Sequence, residues 1–299
     1  MTEYGGLILA IDAGGTFFKS GLVNAAGEIV EHTRISCPVN SAGQADAVRA
    51  AYHTLIARQL DNARTLGQMI KAVGVDTPGP FDYQEGKSLM RHKFPALYGI
   101  PLRPWIQEAA GKLPVCFLHD STAFLLGEYW KGGLQREGNA AGVMLGTGLG
   151  FAYMQNGEVQ LNPQGGPGFS LYTVPYRDGA AEDYVSRRGI INRYLERVPQ
   201  AESHIDVADI ARLAREGSAP ALAAMKETGR MLGEILLPVL KEKQCRRLVV
   251  GGQISKAYPL FGPDLEKVLE DARLDGVTPA KSPDDAHLLG CAYLLLQAK

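Results

Sequence analysis

At 299 residues, with 45% hydrophobic and 21% charged side chains, the chain has core material for one large or two moderate domains and is neither disordered nor fibrous. Lysine plus arginine (31) balance aspartate plus glutamate (32), which argues against a broad nucleic-acid or membrane footprint. No apolar run reaches the length of about 18 residues that a membrane span needs, no basic-then-apolar leader opens the chain, and Cys37, Cys116, Cys245 and Cys291 are too scattered for a disulfide framework or a cysteine metal cluster, so a soluble cytoplasmic protein is expected.

The first elements lie in Leu7 to Val23, LILAIDAGGTFFKSGLV. The apolar run from Leu7 to Ile11 has the length and β-branched content of a buried strand, and a second apolar-rich run, Phe17 to Val23, follows Ala13-Gly14-Gly15-Thr16. This reads as strand, tight turn, strand. Gly14 and Gly15 permit positive φ and let backbone N–H groups approach an anion, and Thr16 adds a hydroxyl donor. Asp12 offers carboxylate oxygen to a divalent cation held through water. An ordinary Gly-Gly hairpin with an acid at its mouth satisfies the same spacing.

The hairpin closes at Asn24 to Gly27, and a third strand is expected over residues 29–36, ending before Pro38. A helix is expected over 44–66, with Ala47, Leu55, Ile56 and Leu60 on its apolar face, then a strand over 70–75 broken by Thr77-Pro78-Gly79-Pro80. Arg91, His92 and Lys93 form a short cationic run. A helix over 101–110 and a strand over 115–118 lead to His119-Asp120, after which STAFLLGEYWKGG reads as a helix. Asp120 in that setting is a helix N-cap, or a carboxylate placed to take a proton.

A second hairpin of the first kind occupies residues 142–159, GVMLGTGLGFAYMQNGEV. The Gly146-Thr147-Gly148 turn separates the apolar runs 143–145 and 151–154, and Asn156-Gly157 supplies the next turn. Two phosphate-type hairpins, one in each half, suggest a duplicated fold with phosphates held between the halves. Residues 192–240 read as helical with breaks at Pro199, Gly217 and Pro220; a strand over 247–250 runs into Gly251-Gly252-Gln253, and DDAHLLGCAYLLLQAK closes the chain as an amphipathic helix.

DAGGTFFKSGLV and LGTGLG resemble the first and second phosphate motifs of the ROK (repressor, open reading frame, kinase) sugar kinases, within the actin–hexokinase–heat-shock ATPase superfamily. The resemblance spans nearly the whole chain. It implies an α/β, two-lobed actin-like ATPase (ribonuclease H-like) fold with a central cleft: a small lobe of residues 1–122 rejoined by a C-terminal helix at 284–299, and a large lobe of 123–283. ATP and Mg²⁺ are the implied cofactors. Gly14, Gly15, Thr16, Gly146, Thr147 and Gly148 would cradle phosphates, Gly251 and Gly252 would lie near the adenosine, and Asp12 would place Mg²⁺ through water. Asp120 would be the general base toward a sugar hydroxyl, in a pocket shaped by Pro78, Gly79, His119 and Glu182. At VGVDTPGPFD the sugar would lie against backbone that a Cβ would obstruct.

The chain departs from the family pattern at several points. His119 stands where an asparagine usually precedes the aspartate, and Thr122 where an asparagine usually follows it. The family's G-E-x-G-H element reads GGPGF here, so Gly166 and Phe169 hold the glutamate and histidine positions. The cysteine cluster that joins that histidine on zinc is absent, so no zinc is expected, and an aromatic-packed loop around Tyr172, Tyr176 and Arg177 is expected in its place. Glu182 falls on the family's second sugar-binding glutamate, or is a helix N-terminal charge favoured by the macrodipole. Arg91, His92 and Lys93 fall near a sugar-binding asparagine of the family, either as a solvated loop or as a selector for an acceptor bearing an anionic group.

The expected activity is transfer of the ATP γ-phosphoryl to a carbohydrate hydroxyl, with a small sugar as partner, no nucleic acid or membrane, and a homodimer allowed. The alternative is a non-catalytic ROK-type sugar sensor. The family's regulators carry a helix-turn-helix domain before the first hairpin, where only Met1 to Gly6 stand here.

Overall fold

The computed structural model describes residues 6–91, 93–134, 136–201 and 204–297; His92 lies outside the described residues. In chain order the strands are β1 (Leu7–Ala13), β2 (Phe17–Val23), β3 (Ile35–Pro38), β4 (Ile70–Thr77), the short β5 (Phe81–Asp82) and β6 (Lys87–Ser88), β7 (Val115–His119), β8 (Ala140–Leu145), β9 (Leu149–Gln155), β10 (Glu158–Val159), the short β11 (Pro175–Tyr176) and β12 (Gly179–Ala180), β13 (Arg247–Gly251) and β14 (Gly276–Pro279). The helices are α1 (Ala45–Thr65), α2 (Arg103–Ala110), α3 (Asp120–Lys131), α4 (Ala181–Val185), α5 (Arg187–Arg197), α6 (Val207–Arg215), α7 (Ala219–Glu242), α8 (Tyr258–Leu269) and α9 (Pro283–Gln297). Among the described residues no helix is long and apolar enough to cross a membrane.

The chain forms two compact units, one of Met1–Gly132, Leu161–Pro167 and Asp284–Lys299, the other of Gly133–Gln160 and Gly168–Pro283. The first unit's sheet has the order β3-β2-β1-β4-β7 and the second's the order β10-β9-β8-β13-β14. Each is an antiparallel three-stranded meander with two parallel strands added beside the meander's first strand. The two glycine-containing turns, at 14–16 and 146–148, therefore occupy the same place in two sheets of the same order.

In the first unit, β1 and β4 are buried along almost their whole length, as parallel strands covered on both faces must be. Helix α1 covers one face through Val48, Tyr52, Leu55, Ile56, Gln59 and Ala63, a stripe of helical period. Of the residues expected on that face, Leu55 and Ile56 are fully buried and half-buried Leu60 packs against the core, while Ala47 is exposed. Gln59 is tolerated in the core because its amide donates to Ser20 Oγ at 2.8 Å and to the Thr33 carbonyl at 2.7 Å. The expected strand over 29–36 is replaced by a single bridge from Ile29 to Val23, a turn with His32 at φ 61°, and β3 further on. Buried Thr33 fixes that turn, accepting from the Leu22 N–H at 3.1 Å and donating to the Val30 carbonyl at 2.7 Å.

Helices α3 and α9 cross at two glycines. A Cβ on Gly127 would lie 1.9 Å from the Ala286 carbonyl oxygen, and one on Gly290 would lie 1.8 Å from that of Ala123. The sequence-based division at residue 122 separates most of α3 from this contact, whereas the helix packs in the first unit, which runs to Gly132. Gly290→Ala pits a methyl group against backbone that cannot rotate away. It should cost about 3 kcal/mol, read as a lowered midpoint in chemical denaturation with an unchanged slope.

In the second unit, Phe261, Leu265, Leu232, Ile235 and Leu236 join strand residues Val143, Leu145, Leu248 and Val250 in one core. The breaks expected at Pro199 and Gly217 are real, but Pro220 stands in the first turn of α7, where its missing N–H costs nothing.

Candidate active site

The first unit brings Asp12, Gly14, Gly15, Thr16, Pro78, Gly79, His119 and Asp120 to the C-terminal ends of β1, β4 and β7 and the loops that follow them. Gly14 and Gly15 do not adopt positive φ. Gly14 is confined by its neighbours, since a Cβ there would come within 3.0 Å of the Phe17 carbonyl oxygen, whereas one on Gly15 would meet only Ser41 at 3.6 Å, an ordinary contact. The N–H groups of Gly14, Gly15 and Thr16 carry no backbone hydrogen bond among the described residues, which leaves donors for an anion.

Asp120 is the first residue of α3, and His119 before it has the extended backbone of an N-cap. His119 Nδ1 lies 2.8 Å from Asp120 Oδ1, and the Ser121 N–H lies 2.7 Å from that oxygen and 3.1 Å from Nδ1. Ser121 Oγ lies 2.8 Å from the same Nδ1, so His119, Asp120 and Ser121 form one hydrogen-bonded cluster in which the carboxylate takes the Ser121 N–H. Burial pushes the Asp120 carboxyl up, but the charge and hydrogen bond of His119 outweigh it and hold the carboxyl well below its usual range. Part of the side chain, 30%, stays exposed, so an ionised base is open to an incoming hydroxyl.

Tyr83 backs this pair. Its ring meets His119 edge-on at 5.8 Å, and its hydroxyl donates to the Thr77 carbonyl at 3.1 Å. A Cβ on Gly79 would meet the His119 ring and the Tyr83 hydroxyl at 3.4–3.5 Å, which is ordinary contact, so nothing in the protein itself obstructs a side chain there. Gly166 is hemmed in differently: a Cβ would lie 3.0 Å from Asn162 Nδ2 and 3.4 Å from the Tyr83 ring. Arg91 lies over the Tyr98 ring at 4.2 Å, and both it and Lys93 are exposed.

The cluster that sequence reasoning missed is Asp76, His287 and Cys291. Asp76 is the register partner of Asp12 in the next strand and is fully buried. His287 and Cys291 reach it from α9, with His287 Nδ1 3.5 Å from Asp76 Oδ1 and Cys291 Sγ 3.5 Å from Oδ2. Burial and then the Asp76 carboxylate push Asp12 up to about 7. Burial works against a charged His287, but Asp76 and then Asp12 overcome it and push the imidazole up to about 9.

In the second unit the Gly146 N–H turns inward to the Gly148 carbonyl at 3.1 Å. Glu182 Oε2 accepts the Leu149 N–H at 2.8 Å, and a Cβ on Gly148 would lie 2.7 Å from the same oxygen. Glu182 thus braces the Gly146–Thr147–Gly148 turn from the first turn of α4. Gly252 is glycine for two reasons, its φ of 79° and a Cβ position 2.3 Å from the Leu145 carbonyl oxygen, which presses Gly251-Gly252 against the end of β8. Phe169 packs edge-on to Phe151 at 6.0 Å with Lys243 over its ring at 5.4 Å. Nearby, Tyr176 and Tyr184 meet edge-on at 5.1 Å beneath Arg177, and their hydroxyls bond Glu234 and Asp178, while Tyr172 is exposed.

The chain belongs to the ROK family, whose model matches residues 8–298. A glucokinase from Thermotoga maritima is 24% identical, over 96% of this chain and 96% of that protein. An N-acetyl-D-glucosamine kinase from Photobacterium profundum is 26% identical, over 95% of this chain and 97% of its own. A ROK family glucokinase structure from Streptomyces griseus, in complex with glucose and AMPPNP, matches with a TM-score of 0.79 at 22% identity, covering 97% of this chain and 99% of that one. A ROK family transcriptional regulator, homolog of the E. coli MLC protein, matches with a TM-score of 0.81 at 20% identity, covering 98% of this chain and 79% of its own. The expected α/β fold class is the one these structures share with this chain.

Proposed function

We propose that this protein is an ATP-dependent sugar kinase that moves the γ-phosphoryl group to a carbohydrate hydroxyl, with Asp120 as general base. The observation that carries the reading is the His119–Asp120 pair: an ionised, partly open carboxylate at a strand end, in the same unit as a glycine turn with free backbone donors. A hydroxyl within hydrogen-bond reach of that carboxylate is oriented for attack and loses its proton as the phosphoryl group arrives. The turns at 14–16 and 146–148 would take the phosphates, and Gly251 and Gly252 the adenosine. Asp12, with an unpartnered Asp76 oxygen beside it, offers the hard donors that Mg²⁺ prefers, and the ion would neutralise phosphate charge. Pro78, Gly79 and His119 would flank the acceptor. Glu182, whose Oε2 accepts the Leu149 N–H, keeps further acceptor capacity for a sugar hydroxyl.

The names of the curated relatives, kinases of glucose, N-acetylglucosamine and N-acetylmannosamine, support a sugar acceptor. A thermal-shift screen of monosaccharides, amino sugars and sugar phosphates, with and without a non-hydrolysable ATP analogue, tests the reading. At least one sugar should raise the melting temperature further when the analogue is bound; no sugar shifting it in either state would contradict a sugar kinase and a sugar sensor alike. A sugar shift with no effect of nucleotide would favour the sensor.

The tyrosine-arginine brace around 176–184 supports a loop that needs no zinc. Four-ligand zinc sites need clustered cysteine and histidine, so this loop should hold no zinc in protein purified without chelator or added metal. A stoichiometric zinc by elemental analysis that persists in both Asp76→Asn and His287→Gln, which lie outside the loop, would overturn that expectation.

A further inference from the structure

Asp12 and Asp76 stand side by side on neighbouring parallel strands, and Asp76 is fully buried. Two carboxylates so placed repel each other and must be compensated. The protein brings one imidazole to them. Helix α9 lies close on this face, since a Cβ on Gly74 would meet Cys291 Cβ at 2.9 Å and one on Gly21 would meet Leu288 at 3.3 Å. From that helix His287 presents Nδ1 to Asp76 Oδ1, yet at 3.5 Å, and neither atom has a hydrogen-bond partner.

Buried polar atoms left in this state are uncommon and call for a partner. A spacing of 3.5 Å is long for a hydrogen bond but ordinary for two ligands of one cation, because donors bonded at about 2.1 Å sit roughly 3–4 Å apart. The ligand atoms of Asp12, Asp76 and His287 all lie within 4.8 Å of one another, and theirs is the one such cluster among the described residues. The three donors come from three separated stretches of the chain, so an ion there would tie α9 to β1 and β4 beneath the first glycine turn.

We propose that Asp12, Asp76 and His287 bind a first-row divalent transition cation directly. Carboxylates alone would suit Mg²⁺ or Ca²⁺, and the imidazole shifts the preference toward Mn²⁺, Fe²⁺, Co²⁺ or Zn²⁺. The site extends the assignment of Asp12 to a cation in the proposed function, but it does not depend on phosphoryl transfer.

The test uses the full chain stripped with chelator, without nucleotide or sugar, and Mn²⁺ as the probe. Free Mn²⁺ is followed by its electron paramagnetic resonance signal during titration, and the bound ion by pulsed measurement of ¹⁴N coupling. The expected result is one Mn²⁺ per chain, held at least tenfold more tightly than Mg²⁺ in competition, with imidazole nitrogen coupling. Asp76→Asn keeps the shape and removes one of two like charges, so it should fold and bind Mn²⁺ at least tenfold more weakly; His287→Gln should do the same and lose the nitrogen coupling. Absence of saturable binding to the unaltered chain, binding without nitrogen coupling, or binding unchanged in Asp76→Asn would each overturn the proposal. Because no turnover is read, a failure of the kinase reading leaves these outcomes unaffected, and the reverse also holds.

Discussion

Asp120→Asn should lower kcat by about 10² or more while nucleotide affinity stays nearly unchanged. The amide keeps the size of the side chain and can still receive the Ser121 N–H, so α3 should keep its start. What it loses is the charge that His119 holds in place and the ability to accept the acceptor's proton. A loss confined to kcat, with the thermal midpoint near that of the unaltered protein, would assign the residue to chemistry. Normal turnover in this variant would reduce Asp120 to a structural role at the helix start.

Glucose should be a poor acceptor. At the positions that the motif resemblance sets against a glutamate and a histidine, Gly166 presents only backbone and Phe169 packs its ring on Phe151 under Lys243. Neither offers a partner to a sugar hydroxyl, and each buried group left unsatisfied costs about 1–3 kcal/mol, or roughly one to two orders of magnitude in kcat/KM per lost contact. The check is kcat/KM for glucose against other hexoses, amino sugars and phosphorylated sugars. Glucose coming out best, at a value ordinary for a dedicated kinase, would defeat the specificity argument and leave the phosphotransfer reading standing. Of the cationic run, Arg91 is stacked on Tyr98 and Lys93 is exposed, while His92 is outside the described residues.

Much of this was legible in the sequence because it is local. The Leu7–Ile11 and Val143–Leu145 runs, the glycine turns after them, and the strand-to-helix step at His119-Asp120 are each set by consecutive residues, and each appears where the pattern put it. The third strand was misplaced because Glu31 and His32 turn the chain, and the contact that holds the turn, Thr33 with Leu22 and Val30, is tertiary. The positive φ allowed to Gly14 and Gly15 is not used; Gly252 uses it instead, against a strand over a hundred residues earlier in the chain.

The Asp12–Asp76–His287 cluster was hidden for a stronger reason. It depends on the β1–β4 register and on where α9 lands, and neither can be read from spacing. Two local signs did exist. Asp76 follows the apolar residues AVGV in a strand buried except at Lys71, and His287 stands directly before the apolar run LLGCAYLLL of the last helix. A charge inside a buried strand needs a partner, but only the fold says which residue supplies it. Glu182 shows the opposite limit: its place at the start of a helix was legible, but its bond to the Leu149 N–H could be seen only in three dimensions.

Phosphorylation of a sugar hydroxyl with Asp120 as base can be read by incubating the protein with ATP, Mg²⁺ and a mixed pool of sugars and following the pool by mass spectrometry. One sugar or a small group of sugars should gain a single phosphoryl group in step with ADP release, and Asp120→Asn, folded and still binding nucleotide, should yield at most about a hundredth of that product. A pool left unphosphorylated by the unaltered protein, or phosphorylated equally by the variant, would contradict this expectation.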